Sequence, residues 1–164
     1  IKINNYYTKT KVQAERICES NKSLILRTNF FGRSIVKKKS FSDWVLKSSK
    51  RKKTFYLFKD IYFSPLRFIT ICRILKTILQ KNFDTSGIYN LGSKNGLSKL
   101  NFSLFFLKYL KIKNKNFKIA SVNKILKTKR SKNMLMNVEK FENTFKIKLP
   151  NLINEITNEQ KKII

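Results

Sequence analysis

The spacing of apolar positions opens the chain on a helical stripe. Between Tyr6 and Ser20, the residues Tyr7, Lys11, Ala14 and Cys18 recur at steps of three and four, with Val12 and Ile17 beside them. Small residues at 14 and 18 predict a helix lying close against a sheet, and Ser20-Asn21-Lys22-Ser23 ends it. Leu24-Ile25-Leu26 is a continuous apolar run between polar flanks, the pattern of a parallel strand covered on both faces. A short amphipathic helix follows from Ser40 to Val45, then a basic loop from Lys47 to Lys53 and a β-prone run from Thr54 to Phe58. Ser64-Pro65 supplies an N-cap and a first-turn proline for a helix over Leu66 to Gln80. Its expected apolar face is Ile69, Cys72, Leu75, Ile78 and Leu79, with Arg73 and Lys76 turned away. A helix capped by Ser98 runs to about Leu110, and Phe117 to Val122 alternates like a strand. Val138 to Phe145 forms a short helix, and Pro150 opens a last one over Asn151 to Ile156. Helices alternating with short strands predict an α/β chain.

Composition narrows the function classes. With 164 residues the chain is one domain's worth. No apolar run approaches the ~18 residues that a spanning helix needs: Phe68 to Cys72 is bounded by Arg67 and Arg73, and Leu104 to Leu107 ends at Lys108. The chain starts at Ile1 without a signal-like segment, so a piece of a longer protein is expected. Cys18 and Cys72 are the only cysteines and histidine is absent, which excludes Cys/His zinc sites, a histidine general base and a disulfide scaffold. A reducing, cytoplasmic setting is expected.

The net charge of +28 implies salt-dependent attraction to polyanions. The chain is also rich in Asn, Ile and Phe, whose codons, like those of Lys, consist mostly of A and T. Its lysines run along the whole length, with clusters at Lys37-Lys38-Lys39 and Lys50-Arg51-Lys52-Lys53. A biased genome gives that profile to any protein, so no specific nucleic-acid partner is expected.

The stretch with chemistry in it is Tyr7-Thr8-Lys9-Thr10-Lys11. Four residues apart on a helix, Tyr7 and Lys11 project from one face, a turn apart. An ammonium beside a phenol favours the ionised form, so such a pair can hold and pass a proton. Downstream, Arg27-Thr28-Asn29-Phe30-Phe31-Gly32 follows the apolar strand. Ligands in open α/β sheets gather just past the carboxyl ends of the strands, which puts Thr28 and Asn29 where a cofactor or substrate sits.

The ordered series resembles the second half of an extended short-chain dehydrogenase/reductase, and is most similar to the dTDP-4-dehydrorhamnose reductase group. It comprises the Tyr-x-x-x-Lys helix, the strand Leu-Ile-Leu-Arg-Thr-Asn-Phe-Phe-Gly, and Asp60 before Ser64-Pro65 and a helix. It continues with Gly87-Ile88-Tyr89-Asn90-Leu91-Gly92, Leu97-Ser98-Lys99 and a Leu149-Pro150 step before the last helix. Lys129-Arg130-Ser131-Lys132-Asn133 stands where the group commonly has Arg-Pro-Lys-Asn, without the proline. The resemblance implies the C-terminal part of a Rossmann-type fold with a small mixed α/β substrate-binding subdomain. Residues 1–33 would carry the last helix-strand unit of the dinucleotide-binding fold, and residues 34–164 would be mainly the substrate-binding subdomain.

It further implies an NAD- or NADP-dependent oxidoreductase reducing a 4-keto nucleotide sugar for surface polysaccharide synthesis, and leaves a homodimer open. Tyr7 would exchange a proton with the sugar oxygen, and Lys11 would hold the nicotinamide ribose hydroxyls. Asn29 would stand on the nicotinamide or sugar side of the site, and Arg130 would meet the substrate diphosphate. The four glycines, Gly32, Gly87, Gly92 and Gly96, form no pyrophosphate-cradling loop, and the group's catalytic Ser/Thr precedes its tyrosine. Both would lie upstream, so the piece alone is expected to be inactive. Two alternatives stay open: an epimerase or dehydratase of the same superfamily, and a non-enzymatic basic module for nucleic acid or a membrane surface.

Overall fold

The computed structural model describes residues 6–32, 40–81, 84–113, 116–126 and 131–158. Its first unit is helix α1 (Tyr6–Ser20) followed by strand β1 (Leu24–Thr28). The connection is a helix stop in which Lys22 N donates to Glu19 O and Ser23 N to Cys18 O, with Lys22 in the left-handed region at φ 52°. Contrary to the expectation from small residues, Ala14 and Cys18 are exposed and α1 buries no residue. An ion pair ties helix to strand instead: Arg27 Nε and Nη2 donate to the two Glu15 carboxylate oxygens at 2.8 and 2.7 Å.

Strand β1 pairs in parallel with β6 (Gly87–Leu91), Leu24 opposite Gly87 and Thr28 opposite Leu91. Leu24, Ile25 and Leu26 are half-buried rather than covered on both faces, because β6 is their only strand neighbour among the described residues. Between the two strands the chain passes through β2 (Phe30–Phe31), which pairs in parallel with β5 (Leu66–Arg67).

That pairing corrects the expected start of the next helix. Leu66 and Arg67 are drawn into β5, and α3 spans Phe68–Gln80. Ser64 and Pro65 lie ahead of it, so they neither cap it nor fill its first turn. The buried face is Ile71, Ile74 and Ile78, while Cys72, Leu75 and Leu79 face outward. The sequence offers two overlapping stripes at helical spacing, and the strand ahead of the helix decides which one turns inward. Arg73 and Lys76 are exposed as expected.

Two apolar clusters hold the chain. One joins α3 and β6 to α6 (Glu139–Phe145) through Leu66, Ile74, Ile78, Tyr89, Phe141 and Phe145. The other joins α2 (Phe41–Ser49), α4 (Lys99–Tyr109) and α7 (Leu152–Asn158) through Phe31, Val45, Phe102, Phe106, Leu152 and Ile156. Helix α2 starts on a capping box, with Ser40 Oγ accepting from Asp43 N at 3.2 Å and Asp43 Oδ2 accepting from Ser40 N at 3.1 Å. Ser98 caps α4 as expected, accepting from Asn101 N at 3.0 Å.

The remaining strands complete the mixed α/β part. β3 (Phe55–Phe58) pairs in parallel with β8 (Phe117–Ala120), which the one-turn helix α5 (Val122–Ile125) follows. β4 (Tyr62–Phe63) lies between antiparallel β7 (Leu97–Ser98) and parallel β9 (Asn133–Met134). The last helix begins at Leu152 rather than beside Pro150. Asn151 first bridges to Lys94, whose backbone N–H donates to Pro150 O and whose carbonyl accepts from Leu152 N, each at 2.9 Å.

Candidate functional site

Tyr7 and Lys11 are both exposed on α1, Tyr7 with 70% of its surface accessible. The ammonium of Lys11 stands 5.7 Å from the centroid of the Tyr7 ring, within cation–π range. Helical spacing brings the two groups together. Among the described residues no carboxylate forms an ion pair with Lys11.

The Glu15–Arg27 clamp fixes α1 against the strand whose carboxyl end carries the next candidates. The Arg27 hydrogen bond holds the Glu15 carboxyl below the usual carboxylate range and raises the guanidinium in turn. Just past β1, the Asn29 carbonyl accepts from Leu66 N at 3.1 Å, while its side-chain Oδ1 is buried without a hydrogen-bond partner among the described residues. Beside it Thr28 is exposed. A buried acceptor left without a donor fits a ligand N–H or O–H.

A second orphan stands past the carboxyl end of the neighbouring strand β6, where Ser93 is 1% exposed and its Oγ has no partner among the described residues. Its backbone N–H donates to Ser64 O at 2.9 Å, and Ser64 Oγ accepts from Met136 N at 3.1 Å. Gly92 allows this approach, since a Cβ there would meet Ser64 O at 2.8 Å. Ser93 was not singled out from sequence, because only the β1–β6 register places it at the same sheet end as Asn29.

Two acidic residues anchor segments distant in sequence. Asp60 accepts from Ser121 Oγ at 2.6 Å, Val122 N at 2.9 Å and Lys132 Nζ at 2.9 Å. The Ser121 hydroxyl first, with Lys132 and the Val122 amide adding to it, holds its carboxyl well below the usual range. Glu155, 2% exposed, serves the start of α3, its oxygens accepting from Arg67 N at 2.7 Å and Thr70 Oγ1 at 3.0 Å. The Arg67 Nε, 3.5 Å from Glu155 Oε1, is an ion-pair contact without a hydrogen bond, and Arg67 Nη1 donates to Asn158 O at 3.1 Å. Arg130 lies outside the described residues.

The arrangement is that of one sheet end with orphan polar groups and a phenol–ammonium pair on the adjoining helix. A family model, the RmlD substrate binding domain, matches residues 3–162. The chain belongs to the RmlD substrate binding domain family. Among solved structures similar to this family member is a dTDP-4-dehydrorhamnose reductase from Clostridium acetobutylicum, with a TM-score of 0.85 at 15% identity, covering 99% of this chain and 57% of that one. Another is the dTDP-4-dehydrorhamnose reductase of Bacillus anthracis in complex with NADP, with a TM-score of 0.83 at 15% identity, covering 98% and 56%. A third is the dTDP-glucose 4,6-dehydratase of Bacillus anthracis in complex with NAD, with a TM-score of 0.73 at 15% identity, covering 99% and 54%. The chain thus has an extended short-chain dehydrogenase/reductase type of α/β fold and spans little more than half the length of these structures. No curated protein sequence matches it. Among the described residues no helix is long and apolar enough to cross a membrane.

Proposed function

We propose that this chain is the substrate-binding, carboxyl-terminal part of an NAD(P)-dependent reductase of 4-keto nucleotide sugars, similar to dTDP-4-dehydrorhamnose reductase. The observation that carries this reading is the Lys11 ammonium 5.7 Å from the Tyr7 ring, on the helix that feeds β1. In this reading residues 1–33 supply the last helix-strand unit of the dinucleotide-binding fold and residues 34–164 mainly the substrate-binding subdomain. The setting is the reducing cytoplasm, in keeping with two free, exposed cysteines.

The residues present fit the nicotinamide end of the cofactor. Lys11, which forms no ion pair among the described residues, offers N–H donors to ribose hydroxyls, and the orphan Oδ1 of Asn29 offers an acceptor to an amide or a sugar hydroxyl. When bound, the nicotinamide supplies or takes up a hydride. Tyr7 Oη gives its proton to the carbonyl oxygen of the sugar as that carbon is reduced, and Lys11 stabilises the phenolate left behind. The family match over residues 3–162 supports a nucleotide-sugar substrate.

The test is an assay of the full-length protein with NADPH or NADH and a 4-keto nucleotide sugar. Oxidation of one reduced nicotinamide per sugar reduced is the expected result. Sugar epimerised or dehydrated without net consumption of the nicotinamide would move the protein to the epimerase or dehydratase reading. This chain alone is expected to turn nothing over.

A further inference from the structure

A cavity of about 660 Å³ opens on another part of the molecule, between the end of α4 and β8. Its walls are apolar: Leu104, Leu107, Ile112 and Phe117. The end of α4 builds it. Lys111 N donates to Lys108 O at 3.0 Å and Ile112 N to Leu107 O at 2.9 Å, with Lys111 at φ 55°. This is a Schellman stop, which folds the residue after the left-handed position back onto the last turn, here Ile112 toward Leu107. The same turn sets three cations at the mouth.

Lys108, Lys111 and Lys113 line the cavity, are exposed, and form no ion pair with a carboxylate among the described residues. Among the described residues no acidic side chain lines it. Lysine stems extend the apolar wall while the ammonium groups stay in water, so the site is greasy inside and cationic at its rim. Its volume lies in the range of small-molecule sites, roughly 300–1,000 Å³.

We propose that this cavity binds a single-chain anionic amphiphile, a free fatty carboxylate, with the acyl chain against Leu104, Leu107, Ile112 and Phe117 and the carboxylate among the three lysines. The match is one of charge and polarity: a neutral chain leaves the ammonium groups unused, and a small anion leaves the apolar wall wet. None of these residues takes part in the Tyr7–Lys11 site, so the proposal stands apart from the reductase reading.

The test uses the full-length protein and sodium dodecanoate below its micellar concentration, followed by calorimetry. One saturable dodecanoate per chain is expected, with dodecanol and acetate each binding at least about tenfold more weakly, a difference of about 1.4 kcal/mol. Leu104→Glu, at a position already 38% exposed, is expected to weaken dodecanoate at least about tenfold, as is the triple variant K108E/K111E/K113E, while anionic vesicles still adsorb to the remaining basic surface. The triple variant changes only exposed side chains, which guards against a folding failure of the first. Absence of saturable binding, equal binding of dodecanol, or many dodecanoates per chain unaffected by either variant would overturn the proposal, the last marking general adsorption to a basic protein.

Discussion

Glu155 reaches across 88 residues of sequence to bond Arg67 N, and it contacts the Arg67 guanidinium as well. Replacing it by alanine leaves a buried guanidinium without its counter-charge and the first turn of α3 without its acceptor. Glu155→Ala is therefore expected to lower unfolding stability by about 3 kcal/mol, with Glu155→Gln recovering part of that, measured by urea unfolding. A loss below about 0.5 kcal/mol would show the pair to be incidental. Three carboxylates couple stability to acid. Glu142, bonded first by the Leu149 amide and then by Lys94, has its carboxyl lowered, as do Asp60 and Glu15. A carboxylate depressed in the folded state contributes stability that is present above its unfolded pKa of about 4 and is lost as pH falls through its folded value. The unfolding midpoint should thus decline from about pH 5 downward, and less steeply in Glu142→Gln. At this scale the Tyr7–Lys11 pair was legible because helical spacing alone sets it. Glu155 and Ser93 were not, since their surroundings come from distant segments.

Helix ends show what composition does to elements. Lys22, Lys111 and Lys146 all occupy left-handed backbone at φ 52°, 55° and 53°, where glycine is the residue without a Cβ penalty. Lys22→Gly and Lys146→Gly are each expected to raise stability by roughly 0.5–1 kcal/mol, whereas Lys→Ala at the same positions should give no such gain. Thermal unfolding checks it, and destabilisation by both glycine variants would contradict it. The elements themselves were largely legible. Capped helices such as α4 fell where hydroxyl and apolar spacing put them. Helix α3 did not, because Ile71, Ile74 and Ile78 on one side and Phe68, Cys72, Leu75 and Leu79 on the other make two stripes of helical period. Nothing local separates them; the pairing of β5 with β2 does.

For the whole molecule, the order of loose motifs said more than any one of them. A Tyr-x-x-x-Lys in a lysine-rich chain is weak by itself, yet its helix leads into a strand that pairs in parallel with Gly87–Leu91, and the family match runs over residues 3–162. The charge of +28 pointed toward polyanions in general and to no particular site. Turnover of a 4-keto nucleotide sugar with NAD(P)H by the full-length protein and its Tyr7→Phe variant tests the central claim most directly. Because Tyr7 is 70% exposed, the variant should keep its unfolding midpoint. Its kcat is predicted to fall by at least about 100-fold, the share of a positioned proton donor. An unchanged kcat in a folded Tyr7→Phe protein would contradict the account.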